Sequence, residues 1–275
     1  MKKTLSFVLI FVFVASFSII SIGATGGSFV GVYINGSEFS GRVQVKDATT
    51  FVGVRRFANE VDPSASVKYS YQTRTLTISS SKLYMTLTDG ASYAVANGRY
   101  LYTESPIFMK SGIMYAPVTM LAKAFDAKIS WQNSTSSFYI TRGSGGILSG
   151  DRFYREDEVY WLSRIINAES GGEILKGKIA VGNVILNRTR SSSFPNTIYG
   201  VIFDRKYGTQ FSPVANGTIY KSPNSQSVIA AKICLEGYSI NTGILYFVNP
   251  RVSPNNWIIS NRRFFAQIGN HAFYY

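Results

Sequence analysis

Tyr160-Trp161-Leu162-Ser163-Arg164-Ile165-Ile166-Asn167-Ala168-Glu169-Ser170-Gly171-Gly172-Glu173 is the stretch on which the reading of this chain turns. Leu162, Ile165 and Ile166 recur at the spacing of one α-helical face, the apolar stripe that an amphipathic helix buries. Glu169 is the next position on that stripe, so its carboxylate is expected to point where the apolar side chains point. Gly171 and Gly172 are expected to stop the helix in the left-handed backbone that glycine tolerates. Partial burial and the negative end of the helix dipole both raise a carboxyl pKa. A glutamic acid kept protonated near neutral pH can serve as a general acid. The spacing equally allows a solvated glutamate at a frayed helix end.

Downstream, a second helix is expected from about Leu175 to Arg190. Gly177 and Gly182 in it allow close approach to a neighbour, and Arg188 and Arg190 suit the dipole at its C-terminus. Asn183 and Asn187 share a face that could line a cleft, serve in capping or face solvent. Residues 195–203 read as a short helix or turn, and 208–213 as a loop. A third helix is expected from about Ser225 to Glu236, closed by Gly237, and residues 244–248 and 264–275 read as aromatic-rich strands and turns. A glycosidase commonly uses two carboxylates. The candidates for a partner to Glu169 are Glu173, Asp204 and Glu236, and none is compelling from its setting.

Residues 165–173 (IINAESGGE), 177–188 (GKIAVGNVILNR), 194–198 (FPNTI), 210–214 (QFSPV), 245–250 (LYFVNP) and 268–274 (IGNHAFY) resemble, in order, the catalytic domain of spore cortex-lytic enzymes of the SleB and CwlJ type. One departure is that Ser170 or Gly171 stands where that family usually carries an arginine or similar residue. The resemblance implies a lysozyme-like α+β domain over 153–275 acting on peptidoglycan of spore cortex or cell wall. It implies a lytic transglycosylase with Glu169 as the single catalytic carboxyl, first acid and then base. By motif position it places Gln210, Phe211, Ser212, Tyr246, Asn249 and His271 in the substrate cleft. His271 has a rival role as a structural hydrogen-bonding group. The alternatives are a hydrolytic muramidase with a second carboxylate and a non-catalytic wall-binding protein.

Upstream, residues 28–142 read as a β-rich domain containing an internal repeat. Residues 51–58 (FVGVRRFA) correspond to 115–122 (YAPVTMLA), each expected to form a short helix followed by a hairpin, with Pro117 in a first helical turn. The hairpins are 67–69 with 76–78, and 129–131 with 138–140. Asn35-Gly36 and Asn97-Gly98 are tight-turn dipeptides. The arrangement resembles the copper amine oxidase N-terminal-like (stalk) domain and suggests a spacer or wall-attachment module. No copper chemistry follows, because the region has neither His nor Cys. Its aromatics Tyr69, Tyr71, Tyr93, Tyr100, Tyr102 and Trp131 suit strand packing, or stacking on sugars. Residues 143–152 are read as a Gly/Ser-rich linker.

The extreme N-terminus, 1–24, pairs Lys2 and Lys3 with an apolar run and a small-residue ending, the pattern of a secretory signal peptide; the alternative is an uncleaved membrane anchor. Export to the wall or cortex follows in either case, with peptidoglycan as partner and an accessory wall or membrane protein as a possible second one. The net charge of +13, from 28 Lys+Arg against 15 Asp+Glu, is scattered and lacks the dense clusters of a nucleic-acid arm. It suits an anionic wall. One cysteine, Cys234, excludes an intrachain disulfide and reads as a small buried hydrophobe. One histidine leaves no ligand set for a zinc amidase, so neither metal nor cofactor is expected.

Overall fold

The computed structural model describes residues 30–206, 208–254 and 257–275; the expected signal peptide lies outside them. In chain order the first domain contains β1 (Gly31–Ile34), β2 (Ser37–Glu38), β3 (Val43–Lys46), β4 (Thr49–Gly53), α1 (Val54–Val61), β5 (Ser66–Ser70), β6 (Thr75–Ser79), β7 (Tyr84–Thr88), β8 (Tyr93–Ala96), β9 (Arg99–Tyr102), β10 (Phe108–Lys110), β11 (Ile113–Pro117), α2 (Val118–Ala124), β12 (Lys128–Gln132) and β13 (Ser137–Thr141). The two copies of the repeat are β4-α1-β5-β6 and β11-α2-β12-β13. They meet directly, with β4 antiparallel to β11 and Val52 opposite Ala116. Each helix therefore starts later than its motif: Phe51-Val52-Gly53 and Tyr115-Ala116-Pro117 are strand, and Pro117 caps α2 from outside.

The first hairpin extends through β7, β8 and β9 into a five-stranded antiparallel sheet, whereas the second is completed by β1, parallel to β13. Alternation inside each strand explains the packing: Leu76 and Ile78, then Met85 and Leu87, face a core shared with Phe57, Leu121 and Phe125. Asn35, Gly36, Asn97 and Gly98 all adopt positive φ, as two-residue hairpin turns require.

The second domain contains α3 (Gly150–Phe153), α4 (Glu156–Ser170), α5 (Leu175–Arg190), α6 (Ile198–Ile202), α7 (Ser212–Ala215), α8 (Ser225–Leu235), β14 (Tyr246–Val248), α9 (Trp257–Asn261), β15 (Phe264–Ile268) and β16 (His271–Tyr274). The molecule is thus α+β, a β-rich domain followed by a helical lobe closed by a small antiparallel sheet in the order β14-β16-β15. That pairing of a helical lobe with a small sheet across a cleft is the expected lysozyme-like arrangement. Leu162, Ile165 and Ile166 are fully buried against α5 and α8. At Gly182 an added Cβ would sit 2.7 Å from Cys234 Sγ, so the three helices close only over glycine there. Cys234 is buried in that contact.

Two segments that the sequence left open take a definite form. Residues 143–149 are not a free tether: Gly145 and Ile147 donate backbone hydrogen bonds to Phe125 and Ala124, and Ile147 is buried in the first core. Asn183 and Asn187 do not line a cleft. They are buried on α5 and hold the loop after α8, Asn183 bonding Tyr238 and Ile240, Asn187 bonding Asn241 and Ile244. The backbone of that loop would otherwise leave polar groups unpaired in the core.

Candidate active site

Glu169 occupies the last turn of α4, in the wall of a cleft of about 1600 Å³ between the helical lobe and the three-stranded sheet. Its carboxyl is half-buried, and burial pushes its pKa up to about 7, against the opposing pull of the Arg188 guanidinium. The apolar stripe explains the burial: the face that carries Leu162 and Ile165 into the core also carries Glu169 to its edge.

The helix does not end as the glycines suggested. Gly171 is right-handed, at φ −55° and ψ −29°, and Gly172 is not at positive φ either. What closes the end is Lys178 on α5, which is buried and donates from Nζ to the carbonyls of Ser170 (2.9 Å), Gly171 (2.9 Å) and Glu173 (2.6 Å). One ammonium satisfies three carbonyls and sits at the negative end of the dipole. Burial pushes its pKa down, opposed by Glu173. Asn224 Nδ2 adds a bond to the Gly171 carbonyl. A lysine in the first turn of a helix gave no sequence signal for this task.

Arg188 is the second group that sequence reasoning misplaced. It is buried beneath the cleft, where Nε donates to the Leu245 carbonyl at 2.8 Å and the guanidinium lies over the rings of Phe194, Phe211 and Tyr246. Burial lowers its pKa to about 10, while Tyr246, Asp204 and Glu169 oppose the shift. It remains a cation beside Glu169 at neutral pH.

All six residues carried over by motif position line the same cleft as Glu169. Ser212 is exposed at the start of α7, and Gln210 is half-buried in the preceding loop, with Nε2 at 3.4 Å from the Gly208 carbonyl. Phe211 is 4% exposed and belongs chiefly to the core. Tyr246 presents its ring between Arg188 and Arg262, at 5.5 and 4.5 Å. The Asn249 side chain accepts from the Arg251 backbone, ordering the loop after β14. His271 is buried on β16 against Phe247, and burial pushes its pKa down, against the pull of Glu173. Its Nδ1 lies 3.7 Å from Glu173 Oε1 and has no hydrogen-bond partner among the described residues.

The three other carboxylates have separate fates. Glu173 accepts from the backbone and side chain of Asn270, at 3.1 and 2.8 Å, and so clamps the β15–β16 turn. Burial pushes its carboxyl up, but the Asn270 bonds and the nearby His271 and Lys178 outweigh this and hold it below the usual range. Asp204 lines the cleft and accepts from the Lys206 backbone at 2.9 Å. Glu236 lies outside the cleft, buried at the domain boundary with Arg99, Lys123 and Tyr154.

Comparison with known proteins fits this division. Residues 172–274 match the Cell Wall Hydrolase family and residues 33–140 match the Copper amine oxidase N-terminal domain. Glu169 lies three residues before the first of these spans. A spore cortex-lytic enzyme of Bacillus cereus is 37% identical over 120 residues, 44% of this chain and 45% of that one. The Bacillus subtilis enzyme of the same description is 33% identical over the same share of this chain and 38% of its own. The chain therefore aligns with less than half the length of these curated relatives. The solved catalytic domain of the germination-specific lytic transglycosylase SleB from Bacillus anthracis is 34% identical, with all of it and 47% of this chain aligned at a TM-score of 0.41. Among the described residues, no helix is long and apolar enough to cross a membrane. The chain thus carries a domain that matches the Cell Wall Hydrolase family, following one that matches the Copper amine oxidase N-terminal domain.

Proposed function

We propose that this protein is a lytic transglycosylase that cuts peptidoglycan glycan strands, in spore cortex or cell wall, with Glu169 as its catalytic residue. The observation that carries the reading is a half-buried carboxyl with a pKa near 7 in the wall of a long, open cleft. Protonated, Glu169 donates to the glycosidic oxygen and the bond from C1 to that oxygen breaks. The carboxylate formed is stabilised by Arg188, then takes the proton of the muramic C6 hydroxyl as its oxygen bonds to C1. The product is a 1,6-anhydro sugar, Glu169 is protonated again, and no water is consumed. Gln210, Ser212, Tyr246, Asn249 and His271 are assigned to positioning the glycan, and Phe211 to supporting that wall. The similarity to spore cortex-lytic enzymes supports peptidoglycan as substrate.

Asp204 in the same cleft favours a second reading, hydrolysis with two carboxylates. Mass spectrometry of soluble products from peptidoglycan and cortex separates them. Anhydro-muropeptides from the native chain, absent with Glu169→Gln and retained with Asp204→Asn, are expected. Reducing muropeptides, abolished by Asp204→Asn, would replace the first reading with the second.

A further inference from the structure

The first domain carries a cleft of its own, about 820 Å³, between α1, the β5–β6 hairpin and the β10–β11 hairpin. Its walls combine two features. One is charge: Arg42, Arg55 and Arg56 converge on it. Arg56 is already engaged by Ser40 and Glu60, and Arg55 gives one Nη1 bond to the Val67 carbonyl at 2.6 Å, which fixes its direction and leaves its other donors available. Arg42 is exposed, and its guanidinium makes no hydrogen bond or ion pair with any described residue. The other feature is an exposed aromatic ring braced by a second one. Tyr69 and Tyr71 meet edge to face, ring centroids 4.9 Å apart, and Tyr71 is 88% exposed. Apolar Leu76 and Met114 floor the space behind them.

A guanidinium fork takes a carboxylate or phosphate through paired hydrogen bonds. An open tyrosine face beside it suits the apolar face of a sugar ring. We propose that this cleft binds a saccharide bearing an anionic group, the sugar ring on the exposed face of Tyr71 and the anion between Arg42 and Arg55. The inference is independent of the reaction assigned to the other cleft. It makes the first domain a glycan-binding module whose charge selects an acidic polymer.

Hydrogen–deuterium exchange of the full chain, carrying Glu169→Gln so that probes stay intact, reads this cleft separately from the other one. The probes are a soluble muropeptide, poly(glycerol phosphate), neutral chitotetraose and the free stem peptide. Protection of residues 40–42, 53–59 and 66–76 is expected with the muropeptide and should weaken with salt; equal protection by poly(glycerol phosphate), an anion with no sugar ring, would overturn the saccharide. Arg42→Glu and Tyr71→Ala alter exposed side chains and should each weaken binding about tenfold or more without changing the melting temperature. Equal protection by chitotetraose would overturn the role of charge, and equal protection by the stem peptide alone would overturn the saccharide. No protection by any probe, or unchanged binding by both variants, would overturn the site.

Discussion

Arg99 donates two parallel hydrogen bonds of 2.7 Å, from Nε and Nη2, to the two carboxylate oxygens of Glu236, joining β9 of the first domain to the end of α8 in the second. Lys123 and Tyr154 complete the shell around Glu236, at 2.9 and 2.8 Å. Tyr102 packs on Tyr238 at 4.4 Å, and Tyr238 donates to Glu104. The two domains are therefore fastened together by a buried, hydrogen-bonded ion pair and an aromatic contact.

Removing Arg99 leaves Glu236 with only Lys123 and Tyr154 and part of its bonding capacity unmet, a loss on the order of 1–3 kcal/mol. Arg99→Ala is expected to lower the urea midpoint by that measure and to expose the domain boundary to proteolysis near residues 143–152. The pH dependence has a definite sign. Burial would raise the Glu236 carboxyl, but Arg99, Lys123 and Tyr154 hold it below the usual range. Its stabilisation is present above the ordinary glutamate pKa and is lost as pH falls through the lower folded value. Acid unfolding of native chain and Arg99→Ala should converge at low pH; a constant gap between them would refute the assignment.

Glu169 has the opposite sign. Its folded pKa is raised, so the native state is most favoured below the unfolded pKa and loses stability as pH rises toward 7. A rise from 4.5 to about 7 corresponds to about 3 kcal/mol at full ionisation. Glu169→Gln should therefore melt above the native chain at pH 8 and level with it at pH 4, while losing at least about a thousandfold in turnover. Native activity should fall above pH 7 as the acid ionises.

Arg188 sets where that fall occurs. It pulls the Glu169 pKa down, so replacing it with a neutral residue lets the pKa rise further. In Arg188→Met the alkaline limb of the pH–rate profile should move to higher pH, and the rate at its plateau should drop because the carboxylate loses its cation. Arg188→Lys keeps the charge and should restore most of the native limb. If both variants share one limb, the guanidinium serves structure alone.

Glu169 was legible in the sequence because a helical stripe fixes direction: four positions at regular spacing place the fourth beside the first three. The repeat was legible for the same reason, since Leu76 and Ile78 alternate as a half-buried strand must. Lys178 and Arg188 were not. Helix position says which residues share a face, but not that the ends of a long side chain lie under a cleft. Arg99 and Glu236 stand 137 residues apart, and no local pattern links them. Tyr93, Tyr100 and Tyr102 read as strand packing, yet they pack on the second domain's core. Burial across a boundary leaves no period of its own.

Gly269 ties the sheet to the end of α4, the helix that carries Glu169. It turns β15 into β16 at φ +61°, and an added Cβ would lie 2.0 Å from Glu173 Oε2. Gly269→Ala must therefore strain the backbone and displace the carboxylate from Asn270, a combined loss of about 1–3 kcal/mol. The two contributions separate in a double-mutant cycle with Glu173→Ala. In that background the steric conflict is gone and only backbone strain remains, so the second substitution should be milder than the first alone. Urea unfolding of the four chains measures this. Strict additivity would mean that Glu173 does not hold the turn, and that the bonds to Asn270 contribute nothing to the position of His271 beside the cleft.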